Sequence, residues 1–142
     1  MSHARQKIRD AVVTLVTGLT VFATRLYNLE PSEDLPGLVI YTKNESSERS
    51  DFSPNNYSRE LEVIIEGYAE TNSLVENVLD TISLEVENVM GANPLLSNTA
   101  TTSELNATEI EFDVMGEKPI GIIRLTYSVT YYTLSTDNST NI

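Results

Sequence analysis

Residues 58–90 read SRELEVIIEGYAETNSLVENVLDTISLEVENVM, and this stretch decides the fold. In its first half Leu61, Val63 and Ile65 alternate with Glu60, Glu62, Ile64, Glu66 and Tyr68. A period of two belongs to a strand with one face on a core and the other mostly toward water. The second half changes period. Val75, Val78, Leu79, Ile82, Val86, Val89 and Met90 recur at helical spacing and make one apolar stripe. Between the two, Ser73 and Glu76 have the spacing of a capping box, in which each side chain satisfies an amide at the helix start. Gly91 and then Pro94 supply a stop. A half-buried strand running into an amphipathic helix implies that the helix lies on the strand's apolar face. The stripe therefore reads as core packing, not as a cofactor box.

Toward the C-terminus, residues 92–103 are small and polar around Leu95-Leu96 and predict a loop. A long hairpin follows. Ile110, Phe112 and Val114 alternate with Glu109, Glu111 and Asp113. After the turn Met115-Gly116-Glu117-Lys118-Pro119, the residues Ile123, Leu125, Tyr127, Val129 and Tyr131 alternate with Arg124, Thr126, Ser128 and Thr130. Pairing Phe112 with Ile123, Ile110 with Leu125 and Glu111 with Arg124 gives one apolar face and one cross-strand charge pair. Residues 135–142 are polar and are expected to fray.

Toward the N-terminus, Ile8, Val12, Leu15, Val16 and Leu19 share a helical face, with Ser2 as N-cap and Gly18 as the end. Residues 21–29 predict a short strand, and 38–42 (LVIYT) a buried central one. Residues 43–56, KNESSERSDFSPNN, predict a long polar loop, of a length usually functional or disordered. The order helix, three strands, helix, two strands implies a single α+β domain over 1–134, a two-layer sandwich. Its sheet is mostly antiparallel, with both helices on one face.

Composition bounds the chemistry. The 142 residues include 9 Lys+Arg and 21 Asp+Glu, for a net charge of −12, which argues against a free-standing nucleic-acid binder. There is no cysteine, so disulfides, thiolate nucleophiles and Cys-ligated zinc are excluded. The single histidine, His3, lies near the N-terminus, poorly placed for a catalytic triad. No Gly-rich phosphate loop, His-Glu-x-x-His or calcium loop is present. No metal site, cofactor or enzymatic activity is expected. No apolar run reaches the roughly 18 residues of a membrane span, and a soluble, cytoplasmically made protein is expected.

The charge is uneven. Residues 1–27 hold Arg5, Lys7, Arg9 and Arg25 against Asp10, a net of +3, leaving −15 on the remainder. Cations at a helix N-terminus oppose its macrodipole, so Arg5, Lys7 and Arg9 are candidates for contact with a partner. In the 43–56 segment, Lys43, Glu45, Glu48, Arg49 and Asp51 can pair between subunits, and Phe52 can anchor. Glu60, Glu62, Glu66, Glu109, Glu111 and Asp113 should form an acidic wall on the sheet face opposite the helices. In that alternating pattern they read as a solvated face rather than catalytic pairs.

Four segments carry a resemblance: the opening helix, ATRLYNLEPSEDLPGLVIYTKNES (23–46), the strand and helix of 58–90, and EFDVMGEKPIGIIRLTYSVTYYT (111–133). Leu35-Pro36 before Tyr41-Thr42, and Gly116-Glu117-Lys118-Pro119 before Arg124-Leu125-Thr126-Tyr127, are its most specific parts. From about residue 4 to 133, this order resembles the minor tail protein U, or tail-terminator, family of long-tailed (siphovirus-type) phages. The resemblance implies a non-enzymatic virion protein, assembled in the host cytoplasm, with an α+β sandwich fold. It implies a homohexameric ring on the head-proximal end of the tail tube. The implied partners are the same chain, the major tail tube protein and the head–tail connector. DNA would pass through the lumen without specific binding. The alternatives are another neck or tail-completion protein of similar fold, or a peptide- or ligand-binding domain that uses a sheet edge.

Overall fold

A computed structural model of the chain describes residues 3–17, 23–25, 37–49, 56–70, 75–96, 99–115, 118–134 and 137–141. The elements are α1 (Ala4–Thr17), β1 (Ala23–Arg25), β2 (Gly37–Arg49), β3 (Asn56–Glu70), α2 (Val75–Ala92), β4 (Thr102–Met115), β5 (Lys118–Leu134) and β6 (Asp137–Asn141). The sheet order is β1-β2-β3-β5-β4, with β6 paired to β5. All pairings are antiparallel except the short parallel match of β1 to β2 at Ala23–Gly37. The chain is thus the α+β sandwich its patterning implies.

The core lies between the helices and one sheet face. Ile8, Val12 and Val16 of α1 and Leu79, Ile82, Val86 and Met90 of α2 meet Leu61, Val63 and Ile65 of β3 and Ile123, Leu125 and Val129 of β5. Burying such side chains stabilises by about 1.5–3 kcal/mol each, which is why both apolar stripes turn the same way. Gly67 sits in β3 directly beneath α2. A Cβ placed there would stand 2.6 Å from Ile82 Cγ2, so glycine permits the close approach of helix and sheet.

Several expectations change. Residues 43–49 of the expected 43–56 loop are strand: β2 runs to Arg49, which pairs with Tyr57 of β3, and residues 50–55 lie outside the described residues. Lys43, Asn44 and Ser46 to Arg49 are exposed, so this ribbon lacks the apolar alternation that marks a half-buried strand. Asp51 and Phe52 lie outside the described residues. The β4–β5 register differs by two residues from that expected, with Ile110 opposite Ile123, Phe112 opposite Gly121 and Glu109 opposite Arg124. A slip of two preserves which face each residue occupies, so apolar alternation alone does not separate the two registers. The strand at 21–29 is described only over Ala23–Arg25. The 92–103 loop is shortened from both sides, and its Leu96 is fully buried with φ 47°. The frayed tail is replaced over Asp137–Asn141 by β6, which continues past the end of β4 along β5.

The cap of α1 also differs. His3, not Ser2, stands before Ala4, and His3 Nδ1 accepts a 3.0 Å bond from the Arg5 amide while its carbonyl accepts from Gln6. Ser2, Gly18, Leu19 and Ser73 lie outside the described residues.

Candidate functional site

A bulge between Thr42 and Glu45 organises the first cluster. Thr42 pairs with Val63, but Glu45 pairs with Leu61, so one extra residue on β2 turns Glu45 onto the helix face. There its carboxylate, 8 % exposed, accepts from Arg5 of α1, from Tyr131 of β5 and, at 3.2 Å, from Arg59 of β3. Arg59 also donates from Nε to Thr133 at 3.0 Å and lies 5.3 Å from the Tyr57 ring centroid. Burial, then the bond to Glu45 and its charge, raise the Tyr131 hydroxyl above its ordinary pKa. A buried carboxylate with three donors is satisfied chemistry. It ties the start of α1 to three strands.

The second cluster lies on the opposite face. Arg124 of β5 donates from Nε to Glu66 at 2.6 Å, and from its Nη1 to Glu111 at 3.1 Å and Glu109 at 3.3 Å. The bond that Arg124 donates to Glu66 is the main cause that raises Arg124 further above its ordinary range. Tyr68 also donates to Glu66 at 3.0 Å, and burial followed by the Glu66 charge pushes both Tyr68 and Tyr41 up.

The acidic wall is not uniform. Glu60, Glu62, Glu66, Glu109 and Glu111 do share this face, but Glu66 is only 6 % exposed and Arg124 stands among them. Val39, Ile64 and Ile122 are buried on the same side, so this is no uniformly solvated surface. Asp113 follows the same alternation in register, opposite Ile120; its side chain lies outside the described atoms.

The interface candidates divide. Arg5 and Glu45 pair with each other, so they are engaged within the fold. Lys7, Lys43, Glu48 and Arg49 are exposed and Arg9 is half-buried. Sequence reasoning missed Arg59 and Tyr131 as partners of Glu45. The available signal was parity, because Arg59 precedes Leu61, Val63 and Ile65 on the core-facing side of β3.

The third feature is the β4 edge. Leu105, Ile110 and Phe112 share the helix face by register but remain 39 %, 49 % and 54 % exposed. α2 reaches only part of the strand, where Glu87, Met90 and Gly91 border a cleft with Ser103, Leu105 and Tyr127. Among the described residues no helix is long and apolar enough to cross a membrane.

No protein-family model and no curated protein matches the sequence. Among solved structures, the chain is similar to a chain in the virion of a native gene transfer agent particle. The identity is 13 %, with 92 % of each chain covered and a TM-score of 0.33.

Proposed function

We propose that this chain is a structural virion protein of the tail-terminator kind. Six copies would ring the head-proximal end of a tail tube, stop tube growth and present a surface to the head connector. The observation that carries this reading is the order of segments from about residue 4 to 133, which resembles that family along nearly the whole chain. The sheet described above supports it in one respect. A subunit of a closed ring uses two different surfaces, and both lateral edges of the sheet have stretches with no strand partner among the described residues that could serve as them. In this reading the chain catalyses no reaction and holds no cofactor. DNA crossing the lumen would meet a subunit of net charge −12 and be repelled by it.

The test is solution mass by light scattering across protein and salt concentrations, followed by mixing with purified tail tubes. A species near six times the 15.8 kDa chain mass, or capping of the tubes with arrest of their growth, is the expected result. A chain that stays monomeric and neither binds tubes nor halts their elongation overturns the reading.

A further inference from the structure

We propose that the β4 edge is the surface on which a second copy of this chain docks, receiving that copy's β2 flank head to tail. The inference rests on the ring reading and names the surfaces such an assembly would use.

The first observation is the edge itself. β4 is outermost in the sheet, and among the described residues no strand pairs with its outer side over Thr102–Met115. Edge strands are normally protected by charged side chains, above all lysine, by proline or by bulges. β4 contains neither lysine nor proline; what keeps it from indiscriminate pairing is its glutamates and one bulge between Leu105 and Ala107.

The second observation is apolar exposure. Leu105, Ile110 and Phe112 are 39 %, 49 % and 54 % exposed on the helix face of this strand. Leu105, Ile110 and Phe112 thus line the helix face of this edge. Contiguous exposed apolar surface of this kind marks association sites.

The third observation is charge, and it selects the occupant. β4 presents exposed Glu104, Glu109 and Glu111 and no cation of its own; Arg124 of β5 pairs with Glu109 and Glu111 but also with Glu66, so one arginine leaves these glutamates with a net negative charge. The far side of the sheet has the opposite character. β1 covers β2 only at Gly37 to Val39, so among the described residues the outer side of β2 beyond that point has no strand partner. It displays exposed Lys43 and Arg49 against Glu48. One helical turn from Arg5, which reaches Glu45 on β2, α1 adds Arg9. Two β4 edges meeting each other would oppose glutamate with glutamate. A β4 edge meeting a β2 flank opposes glutamate with lysine and arginine. The contact is therefore heterologous, the kind that closes into a ring when its rotation permits.

The absence of cysteine makes the test direct. Glu104→Cys and Lys43→Cys are prepared separately and treated with a short bismaleimide, alone and mixed. The mixture should give a cross-linked dimer that neither variant forms alone to a comparable extent. Efficient cross-linking of Glu104→Cys with itself, or none in the mixture, overturns the proposal. Independently, Ile110→Ser/Phe112→Ser alters exposed side chains only, and its fold is checked by circular dichroism. Its self-association by sedimentation should weaken by roughly tenfold or more, as expected when apolar anchors are lost. If the parent chain forms rings that the serine variant and the cysteine pair leave untouched, the surface assignment fails while the ring reading stands. If the parent chain neither self-associates nor binds tail tubes, both fail.

Discussion

Replacing Gly67 with alanine tests the closeness of α2 to the sheet. The new methyl would lie 2.6 Å from Ile82 Cγ2, 3.1 Å from Ile123 Cγ2 and 3.3 Å from Ile82 Cδ1. Comfortable carbon–carbon separations are about 3.5–4.0 Å, so the overlap with Ile82 is close to 1 Å. The Cγ2 atom branches directly from Cβ and cannot swing away as the end of a long chain can. The helix must then shift, loosening Leu79, Val86 and Met90 against the sheet as well. Two effects favour the variant: alanine is better than glycine within a strand by about 0.5–1 kcal/mol, and a buried methyl adds about 0.8 kcal/mol. Overpacking costs about 1–3 kcal/mol, and a gap of half to one ångström along the helix forfeits a quarter to a half of each contact. We expect a net loss of about 2 kcal/mol, a fall of about 1 M in the urea midpoint for a slope near 2 kcal/mol/M. Ile82→Ala should itself cost about 2–5 kcal/mol. In that background the added methyl has room, so Gly67→Ala should become neutral or stabilising, and the cycle should show the coupling directly. A Gly67→Ala chain as stable as the parent, or additive losses in the double variant, would refute the close-approach argument.

Other perturbations read the remaining contacts. Arg124→Ala leaves Glu66 buried with only the tyrosine hydroxyls of Tyr68 and Tyr41 as side-chain donors and should cost about 3 kcal/mol or more in urea unfolding; a loss under about 0.5 kcal/mol, typical of an exposed pair, would show the bridge to be dispensable. Burial, then the Glu87 charge, push Tyr127 from 10.0 up to about 12. Its neutral form is favoured in the folded state, so its contribution is complete below pH 10 and lost as pH rises toward 12. Tyr127→Phe should flatten that stretch of the stability profile, and an unchanged slope counts against the assignment. Burial, then the charges of Arg5 and Arg59, lower His3 from its ordinary 6.5. Here stability is complete above pH 6.5 and falls below it as the unfolded chain takes up the proton first. His3→Asn, which keeps a capping acceptor without titrating there, should remove that slope from thermal melts between pH 7 and 5; a persisting slope assigns it elsewhere.

Much of the fold was legible because periodicity is local. Leu61, Val63 and Ile65 at a spacing of two, and Leu79, Ile82, Val86 and Met90 at helical spacing, declare which side must leave water. The functional surfaces were less legible. A ribbon such as 43–49, exposed except at Glu45, has the composition of a loop, so nothing in its own residues announces pairing to β3. The bulge that turns Glu45 inward is likewise visible only once Thr42 and Glu45 are matched to their partners on β3.

By itself, then, the sequence determined the number and order of the main elements, their buried faces and the uneven charge, since each follows from neighbours a few positions apart. Only the tertiary structure decided that Arg5, Glu45, Arg59 and Tyr131 converge, and that Arg124 gathers three glutamates. It also decided that β4 is left at an edge with Ile110 and Phe112 uncovered. Those facts depend on strand order and register across separations of up to 86 residues. Local patterning is unchanged by a two-residue slip, and only the packed sheet selects among the alternatives.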